Sequence, residues 1–391
     1  MKPGWRVVPL GEVCTVTKKQ GGARPLPYVG LEDIASGGAG LFLGNLDPQT
    51  DKSTTFEFEP GHVLYGRLRP YLNKVLLPEF VGHCSSEIFP LLPLPQLDRG
   101  FLFHWLTSQR TVDAINATCT GARMPRANIS ELMTFPIPLP PLDEQKRIVA
   151  VLDEAFEGLS RARANAEANL ADARELFKRE LEVEFAYLAE AYPRRTVGDI
   201  AVIKGGKRLP KGEKLIQSRT PFPYISIKDF NDAGSIDISS VDYLTPKTRE
   251  AIKNYIIRAE DLYISIAGTI GKTGIIPAEL DGANLTENAA RMVFKAGIRN
   301  DYVFFFTLTD DFQIQAGLNT RTAAQPKLAL ERLKTISLPV ADPETQATMV
   351  ERFRSIREQS TLAQDNFLNK VEAIDTLRQS ILQKAFSGEL T

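Results

Sequence analysis

The stretch GTIGKTGIIP, residues 268–277, contains Gly-Lys-Thr after an earlier glycine. This combination raises the question of whether the chain binds the phosphates of a nucleotide. In the phosphate-binding pattern G-x-x-x-x-G-K-[ST], backbone N–H groups surround the phosphates of a nucleotide. Gly271, Lys272 and Thr273 match the end of this pattern. The first glycine of the pattern is required at position 266, which is Ile266. The spacing therefore argues against a nucleotide site, and it leaves Lys272 as a candidate contact for a phosphate of another kind.

Other residue types that carry catalysis are present, but without the spacing that catalysis needs. The three histidines, His62, His83 and His104, show no metal-ligand spacing, and His83–Cys84 is an isolated pair. The motifs G-x-S-x-G and H-E-x-x-H are absent, as is a G-x-G-x-x-G that opens a helix. The Asn/Asp-Pro-Pro-aromatic run of a DNA adenine methyltransferase is absent as well. Acidic residues are numerous, so a catalytic carboxylate pair stays open, but no motif points to catalytic or metal-binding residues.

Composition limits the class of protein. With 391 residues, 43% hydrophobic and 24% charged, the chain suits a globular protein of two or three domains. No apolar run approaches the roughly 18–20 residues of a membrane span, and the N-terminus lacks the apolar core of a signal peptide. Three separated cysteines argue against a disulfide framework, so a cytoplasmic location is expected. The net charge of −1 excludes a generally basic surface but not a local basic groove.

The chain contains an internal duplication. Five segments recur in the same order: LGEV (10–13) as VGDI (197–200), LPYVGLEDI (26–34) as FPYISIKDF (222–230), HVLYGRLRPYLNKVLLP (62–78) as EDLYISIAGTIGKTGIIP (260–277), TGARMPRANISEL (120–132) as RTAAQPKLALERL (321–333), and PIPLPPLDEQKRIV (136–149) as TISLPVADPETQATMV (335–350). The Gly-Lys-Thr stretch is thus the second copy of a segment that lacks Gly-Lys-Thr in the first. It is predicted to be a strand–turn–strand, with Lys272 at the place of Lys74.

Each copy ends in a segment with the character of a long helix. Residues 143–191 contain no proline and a single glycine, and Asp143 is the predicted N-cap. The second copy repeats this with Asp342 as the cap and Pro343 at the first helical position, and it continues to about Ser387. Apolar spacings of three and four are typical of a coiled coil. The predicted pairing residues are Ile148, Leu152, Leu159, Phe353, Ile356, Phe367, Ile374 and Ile381.

The predicted fold class is α+β, with two similar globular domains and two long helices. The domains are residues 1–142 and 192–342, and the helical segments are 143–191 and 343–391. A helix of this length, roughly 65–70 Å, exceeds an ordinary domain, which favours pairing of the two helices over separate burial. If they pair antiparallel as a coiled coil, the two halves are related by a pseudo-two-fold axis.

Basic residues recur in the loops of both copies and suggest nucleic acid as the partner. Lys and Arg neutralise phosphates, and Arg also reads base edges. The candidate DNA-binding residues are Lys18, Lys19, Arg67, Arg69, Lys74, Arg123 and Arg126 in the first copy, and Lys204, Lys207, Arg208, Lys211, Lys214, Lys272, Arg321 and Lys327 in the second. Two similar but non-identical DNA-binding domains on a rigid helical spacer predict an asymmetric DNA target. Its two half-sites would be separated by a fixed number of base pairs.

Taken together, these features resemble the specificity (S) subunit of type I restriction-modification enzymes over essentially the whole chain. The segments that carry the resemblance are PLPPLDEQKRIVAVLD (138–153), LRQSILQKAFSGEL (377–390), GRLRPYLNKV (66–75) and SIAGTIGKTG (265–274). The resemblance implies two target-recognition domains, separated by helical regions that pair as an antiparallel coiled coil. It also implies a bipartite double-stranded DNA target and no catalytic residues in this chain.

The resemblance further implies the partners of a host-defence complex. These are adenine methyltransferase subunits, usually two per S subunit, which bind S-adenosylmethionine, and a restriction subunit that can join and uses ATP. It implies no cofactor for this chain and no contact with a membrane. Two alternatives stay open, namely a coiled-coil scaffold without a DNA role and, less favoured, a nucleotide hydrolase that uses Lys272.

Overall fold

The computed structural model of the chain describes residues 2–20, 24–49, 55–119, 123–317 and 328–390. The chain divides into two compact units. The first unit comprises Met1–Glu167 with Leu368–Thr391, and the second comprises Ala168–Phe367. Each unit therefore combines one of the globular domains with a part of each long helix.

The first unit has mixed α and β structure. Its strands are β1 (Arg6–Pro9), β2 (Cys14–Val16), β3 (Leu26–Val29), β4 (Pro48–Gln49), β5 (Thr55–Phe58), β6 (Val63–Gly66), β7 (Val75–Leu76), β8 (Gly82–Ser85), β9 (Ile88–Pro93) and β10 (Pro136–Leu139). Its helices are α1 (Arg99–Thr107), α2 (Gln109–Ala117), α3 (Ile129–Leu132) and the first part of α4 (Leu142–Ala191). The central sheet has the order β2-β9-β6-β7 and is antiparallel. A second sheet has the order β4-β3-β8-β5, in which β3 and β8 are parallel.

The second unit repeats this plan. Its strands are β11 (Arg194–Thr196), β12 (Ala201–Gly205), β13 (Pro223–Ile225), β14 (Asp242–Tyr243), β15 (Leu262–Ser265), β16 (Thr273–Gly274), β17 (Asn284–Leu285), β18 (Ala289–Phe294) and β19 (Ser337–Pro339). Its helices are α5 (Val197–Ile200), α6 (Pro246–Ala251), α7 (Asn300–Thr307), α8 (Asp310–Ala316), α9 (Leu330–Thr335), and parts of α4 and α10 (Pro343–Ser387). The central sheet, β12-β18-β15-β16, has the same order as its counterpart, and the sheet β14-β13-β17 matches three of the four strands of the other sheet, β4-β3-β8. The predicted duplication is therefore a duplication of topology.

The long helices run antiparallel within each unit. In the first, Arg163 of α4 pairs with Asp375 of α10, and the guanidinium of Arg378 lies 4.8 Å from the ring centroid of Phe156. In the second, the Ser360 hydroxyl donates to the Ala173 carbonyl at 2.6 Å, and Arg352 lies 2.6 Å from Glu184 further along α4. The predicted α+β fold with two long antiparallel helices is thereby confirmed.

The helices also pack on the globular domains, which the sequence analysis did not favour. The first core joins Phe101 and Leu106 of α1 to Leu152 of α4 and Leu382 of α10. Of the eight predicted pairing residues, the structure buries Ile148, Leu152 and Phe353, and it half-buries Leu159, Ile356, Phe367, Ile374 and Ile381. The contribution of each to pairing stays a prediction, because the buried three belong to the domain cores as well.

A buried glutamine fixes the start of each long helix. The Gln145 amide donates to the Pro140 carbonyl at 2.9 Å and accepts from the Asp98 N–H at 2.8 Å. Gln346 makes the equivalent bonds in the second unit, to the Ala341 carbonyl at 2.7 Å and from the Arg299 N–H at 2.9 Å. These bonds explain why DEQ and ETQ recur at the same place, since a buried amide is costly unless it is hydrogen-bonded.

The two helices differ at their caps. Asp342 accepts from the N–H groups of Glu344 at 3.1 Å and Thr345 at 3.0 Å, as an N-cap should. Asp143 does not cap α4, because that helix begins one residue earlier, at Leu142, and places Asp143 in its first turn. There the carboxylate still faces the positive end of the helix dipole.

Candidate nucleic-acid interface

The Gly-Lys-Thr stretch forms the turn of a hairpin between β15 and β16. The N–H of Gly271 donates to the Ser265 carbonyl at 2.9 Å, and the N–H of Lys272 donates to the Ser265 hydroxyl at 2.8 Å. A phosphate-binding loop needs free N–H groups and a helix that follows. Here both N–H groups are used inside the turn, and Thr273 begins a strand. The predicted strand–turn–strand is confirmed, and the phosphate-loop geometry is absent.

The corresponding turn of the first unit links β6 to β7 and has an unusual backbone. Arg69 and Asn73 have φ of 51° and 49°, in the left-handed region that side chains disfavour, and a short 3₁₀ turn spans Pro70–Leu72 between them. The Arg69 N–H donates to the Pro125 carbonyl at 2.7 Å, and the Ala127 N–H donates to the Arg67 carbonyl at 2.8 Å. The turn is thus held against the segment that carries Arg123 and Arg126.

Strand directions bring the predicted basic residues of the first unit to one end of the central sheet. Strands β2 and β6 both pair antiparallel with β9, so they finish at the end where β9 begins. Lys18 and Lys19 follow β2, Arg67 and Arg69 follow β6, and Lys74 precedes β7. We call this the basic end of the sheet.

Carboxylates hold several of these cations in place. Glu87, directly before β9, accepts from Nε of Arg67 at 3.0 Å and from Nε of Arg126 at 3.1 Å. Glu57 lies 2.5 Å from Lys19, whose hydrogen bond lowers the pKa of the Glu57 carboxyl. Because Glu87 serves two arginines, it orients both and still leaves a positive excess, as recognition of a polyanion requires.

The Lys74 ammonium is bonded to the backbone, whereas a contact with a DNA phosphate requires it to face solvent. Its ammonium donates to the Leu31 carbonyl at 2.6 Å, and its side chain is half-buried. Lys18 and Arg123 are exposed, so their side chains can reach a phosphate without first leaving a half-buried position. Lys74 is therefore the candidate of the first unit whose DNA contact demands the largest rearrangement.

The central sheet of the second unit has a basic end of the same kind. Lys207 and Arg208 follow β12, and Lys272 precedes β16. Arg208 lies 2.7 Å from Glu287, two residues before β18, and Lys272 lies 2.7 Å from Asp232. Burial raises the pKa of Glu287, but the hydrogen bond from Arg208 helps to bring it below its usual value.

The remaining candidates of the second unit lie on β12 and in the loop after it. Lys204 is an exposed residue of β12, and Lys211 and Lys214 are exposed in the loop. The Lys207 ammonium lies 5.4 Å from the ring centroid of Tyr255. Arg321 and Lys327 lie outside the residues that the structure describes. That the fifteen basic candidates contact DNA stays a prediction.

Sequence reasoning missed two kinds of residue at these ends. It omitted Glu87 and Glu287, the glutamates that orient the arginines. Acidic residues were not considered because DNA phosphates are negatively charged and attract basic residues. It also omitted Tyr71, which is 53% exposed at the turn between β6 and β7. An aromatic residue amid the basic candidates was the available signal.

The environments of two cysteines and of the possible metal ligands give no sign of catalytic chemistry in the described ranges. Burial raises the pKa of Cys14 and of Cys84 to about 12, so both thiols are protonated at neutral pH. His83 is buried and contacts the Thr55 hydroxyl at 3.1 Å. Within the part of the chain that the structure describes, no three His, Cys, Asp or Glu side chains are grouped to hold a metal. No helix there is long and apolar enough to cross a membrane.

Comparison with known proteins gives consistent matches. Residues 2–168 and 190–373 match the family model of the type I restriction modification DNA specificity domain. The chain is 34% identical over 104 residues to the type I restriction enzyme EcoDI specificity subunit of Escherichia coli, a match that covers 27% of this chain and 23% of that one. It is 23% identical over 326 residues to the EcoBI specificity subunit of the same species, covering 75% of this chain and 66% of that one. The matches thus span less than two thirds of either relative.

Two solved structures share the fold. A chain from a study of complex assembly and conformational transition of the type I R-M system superposes with a TM-score of 0.82 at 21% identity, covering 100% of this chain and 99% of that one. The HsdS subunit from Thermoanaerobacter tengcongensis gives a TM-score of 0.65 at 21% identity, covering 100% and 98%.

Proposed function

Since the chain belongs to the type I restriction modification DNA specificity domain family, we propose that it is the DNA-reading specificity subunit of such an enzyme. One observation carries the proposal. Two sheets of the same strand order each gather basic side chains at the same end, where β2, β6 and β9 meet in one unit and β12, β15 and β18 meet in the other. Such an end supplies the phosphate contacts and base-reading arginines that a DNA half-site needs.

The two basic ends carry different side chains, which supports an asymmetric target. The first has two arginines on one glutamate, whereas the second has one arginine on its glutamate, several lysines and a longer segment over residues 204–219. Different donors read different bases. The target is therefore bipartite and asymmetric, and the antiparallel helices set a fixed number of unread base pairs between its halves.

The partners and cofactors follow from this role. The chain docks adenine methyltransferase subunits, two per chain, and a restriction subunit can join the complex. S-adenosylmethionine and ATP bind those partners, and this chain contributes DNA recognition without catalysis, in the cytoplasm. Arg67 and Arg208 are each held by a glutamate, which orients the guanidinium for binding an anion.

The test is a genome-wide map of methylated adenines in cells that express this chain with its methyltransferase subunit. We expect one asymmetric bipartite motif with a fixed gap. Exchanging residues 1–142 for those of a relative should change one half of the motif and leave the other half and the gap unchanged. An active methyltransferase that produces no such motif would overturn the proposal and favour the scaffold, which also predicts no steep salt dependence of DNA binding.

Replacing Lys272 with alanine separates DNA binding from nucleotide hydrolysis. Loss of one phosphate contact should weaken binding evenly across DNA sequences and reduce the slope of log K against log salt by about 1. Asp232→Asn is the matched variant, because it releases Lys272 from a partner 2.7 Å away and should strengthen binding. Binding of the assembled complex to labelled duplex at several salt concentrations measures both effects. Loss of a nucleotide-hydrolysing activity in Lys272→Ala, with DNA binding unchanged, would support the hydrolase instead.

A further inference from the structure

The turn between β6 and β7 displays a tyrosine at its apex. Tyr71 is the middle residue of the 3₁₀ turn Pro70–Leu72 and is 53% exposed. The turn lies at the basic end of the sheet, since β6 finishes and β7 begins there. An exposed ring among cations is a common feature of surfaces that bind nucleic acid.

The backbone around Tyr71 is fixed by hydrogen bonds on both sides. The N–H groups of Gly37 and Gly38 donate to the carbonyls of Leu72 and Asn73 at 2.9 and 2.8 Å. The buried Asn73 amide donates to the Thr107 carbonyl at 2.9 Å. Left-handed backbone at a non-glycine residue persists only where the surroundings over-determine it, and such positions cluster at functional sites.

Cations flank this apex on the side of the segment that carries Arg123 and Arg126. The Arg69 N–H reaches the Pro125 carbonyl at 2.7 Å, so the exposed Arg123 and the Arg126 that shares Glu87 belong to the adjacent segment. Phosphate contacts by these arginines would hold a duplex against the turn. A rigid aromatic side chain at that position would then meet the bases rather than the backbone.

The second unit lacks this arrangement. Its turn places Gly268 and Gly271 in the left-handed region, with φ of 75° and 90°, and has Thr269 and Ile270 between them. Glycine adopts this conformation without strain. The first unit therefore keeps a costlier backbone, and the residue that it presents is the tyrosine.

We propose that Tyr71 contacts a base in the half-site read by the first unit, with its ring against the base and no equivalent in the second half-site. The inference rests on the proposed function and adds to it a specificity-determining residue outside the basic set. The ring rather than the hydroxyl carries the contact, because the hydrogen-bonded turn fixes where the side chain leaves the backbone and the aromatic face is its largest contact surface. Removal of the ring should therefore affect one half of the motif and not the other.

The experiment uses the complex of the full chain with its methyltransferase subunit and compares Tyr71→Ala, Tyr71→Phe and Val81→Ala with the wild type. Val81 is 44% exposed before β8, away from the basic end, and is the control for loss of a surface apolar group. We expect Tyr71→Ala to reduce methylation of the cognate duplex by roughly 10- to 100-fold, the range for one base–aromatic contact. It should also relax the motif at one position of a single half. Tyr71→Phe and Val81→Ala should stay within about threefold of the wild type, the spread expected of surface changes.

The outcomes separate the two proposals. A wild type that yields no bipartite motif overturns the proposed function and the role of Tyr71 with it. A wild type with a bipartite motif that Tyr71→Ala leaves unchanged overturns only the role of Tyr71. An equal loss over both halves, or a loss shared by Tyr71→Phe, also overturns the ring contact, because it indicates partner docking or a hydroxyl contact. Thermal unfolding of each variant identifies any loss that comes from misfolding, and a Tyr71→Ala loss explained by misfolding counts against the proposal.

Discussion

Replacing Gly206 with alanine is expected to abolish recognition by the second unit, while the same change at the adjacent Gly205 is tolerated. A Cβ atom at Gly206 would lie 2.0 Å from the Thr286 carbonyl oxygen and 2.4 Å from that of Leu285. Real Cβ atoms do not approach backbone oxygens so closely, so the chain must shift. The segment cannot shift freely, because the Gly206 and Lys207 N–H groups are hydrogen-bonded to the Ala289 and Leu285 carbonyls, each at 2.9 Å. Since Lys207 and Arg208 follow directly, the shift displaces the basic end itself.

The magnitude and the control are both set by the structure. We expect Gly206→Ala to destabilise the second unit by about 1–3 kcal/mol, the usual range for overpacking, and to remove selectivity for one half of the methylated motif. At Gly205 the nearest atom to an added Cβ is Leu330 Cδ1 at 3.9 Å, an ordinary contact. Differential scanning calorimetry and the methylation map measure the two effects. Equal behaviour of the two alanine variants would show that the close approach to β17 does not position this loop.

Much of the fold could be predicted from the sequence, because similar residues recur in the same order in the two copies. The recurrence of LGEV as VGDI and of DEQ as ETQ marks the same structural positions, and the structure accounts for the second pair through Gln145 and Gln346. Because Ile266 stands where a phosphate-binding loop requires its first glycine, the sequence predicted a hairpin here instead, and the structure confirms the hairpin. These inferences succeeded because they depend on local spacing along the chain.

The candidate site could be predicted only in part, because its geometry depends on residues distant in sequence. Glu87 joins Arg67 and Arg126 across separations of 20 and 39 residues. Tyr71 lies between two residues with left-handed backbone, Arg69 and Asn73, and although asparagine favours this conformation, arginine gives no such signal. A list of basic residues therefore indicated the two basic ends of the sheets, but not the glutamates beside them or the exposed ring of Tyr71.

Two half-buried arginines, Arg357 and Arg378, show another limit of comparing the two copies. Arg357 lies 5.9 Å from the ring centroid of Phe177 and donates to the Ala233 carbonyl at 2.6 Å. In the first unit Arg378 stacks over Phe156 and donates to the Gly38 carbonyl at 2.5 Å. The repeat aligns Phe156 with Arg357, so a column of the alignment mixes an arginine with a phenylalanine. In both units the phenylalanine lies on α4 and the arginine on α10, so the cation–π contact between the helices is preserved although the positions that the repeat aligns carry different residues.

Removal of the Phe353 ring is expected to give the largest loss of stability among the variants proposed for this chain. Phe353 is fully buried, and its ring centroid lies 5.5 Å from that of Phe185 on α4 and 5.2 Å from that of Phe305 on α7. Phe353→Ala should lower the free energy of unfolding by about 3–5 kcal/mol, the usual result of emptying an aromatic site in a core. Leu362→Ala, on the same helix but 57% exposed, should change it by less than about 0.5 kcal/mol.

The same variant tests whether the two compact units also unfold separately. Phe353 belongs to the core of the second unit, and Leu152, its counterpart in the repeat, belongs to the core of the first. If the units unfold independently, Phe353→Ala shifts one calorimetric transition and Leu152→Ala shifts the other. If the shared helices make unfolding cooperative, both variants move a single transition together. A Phe353→Ala variant as stable as Leu362→Ala would contradict the packing of Phe353 between Phe185 and Phe305. It would leave the helix pair, rather than the domain core, as the main source of stability in that unit.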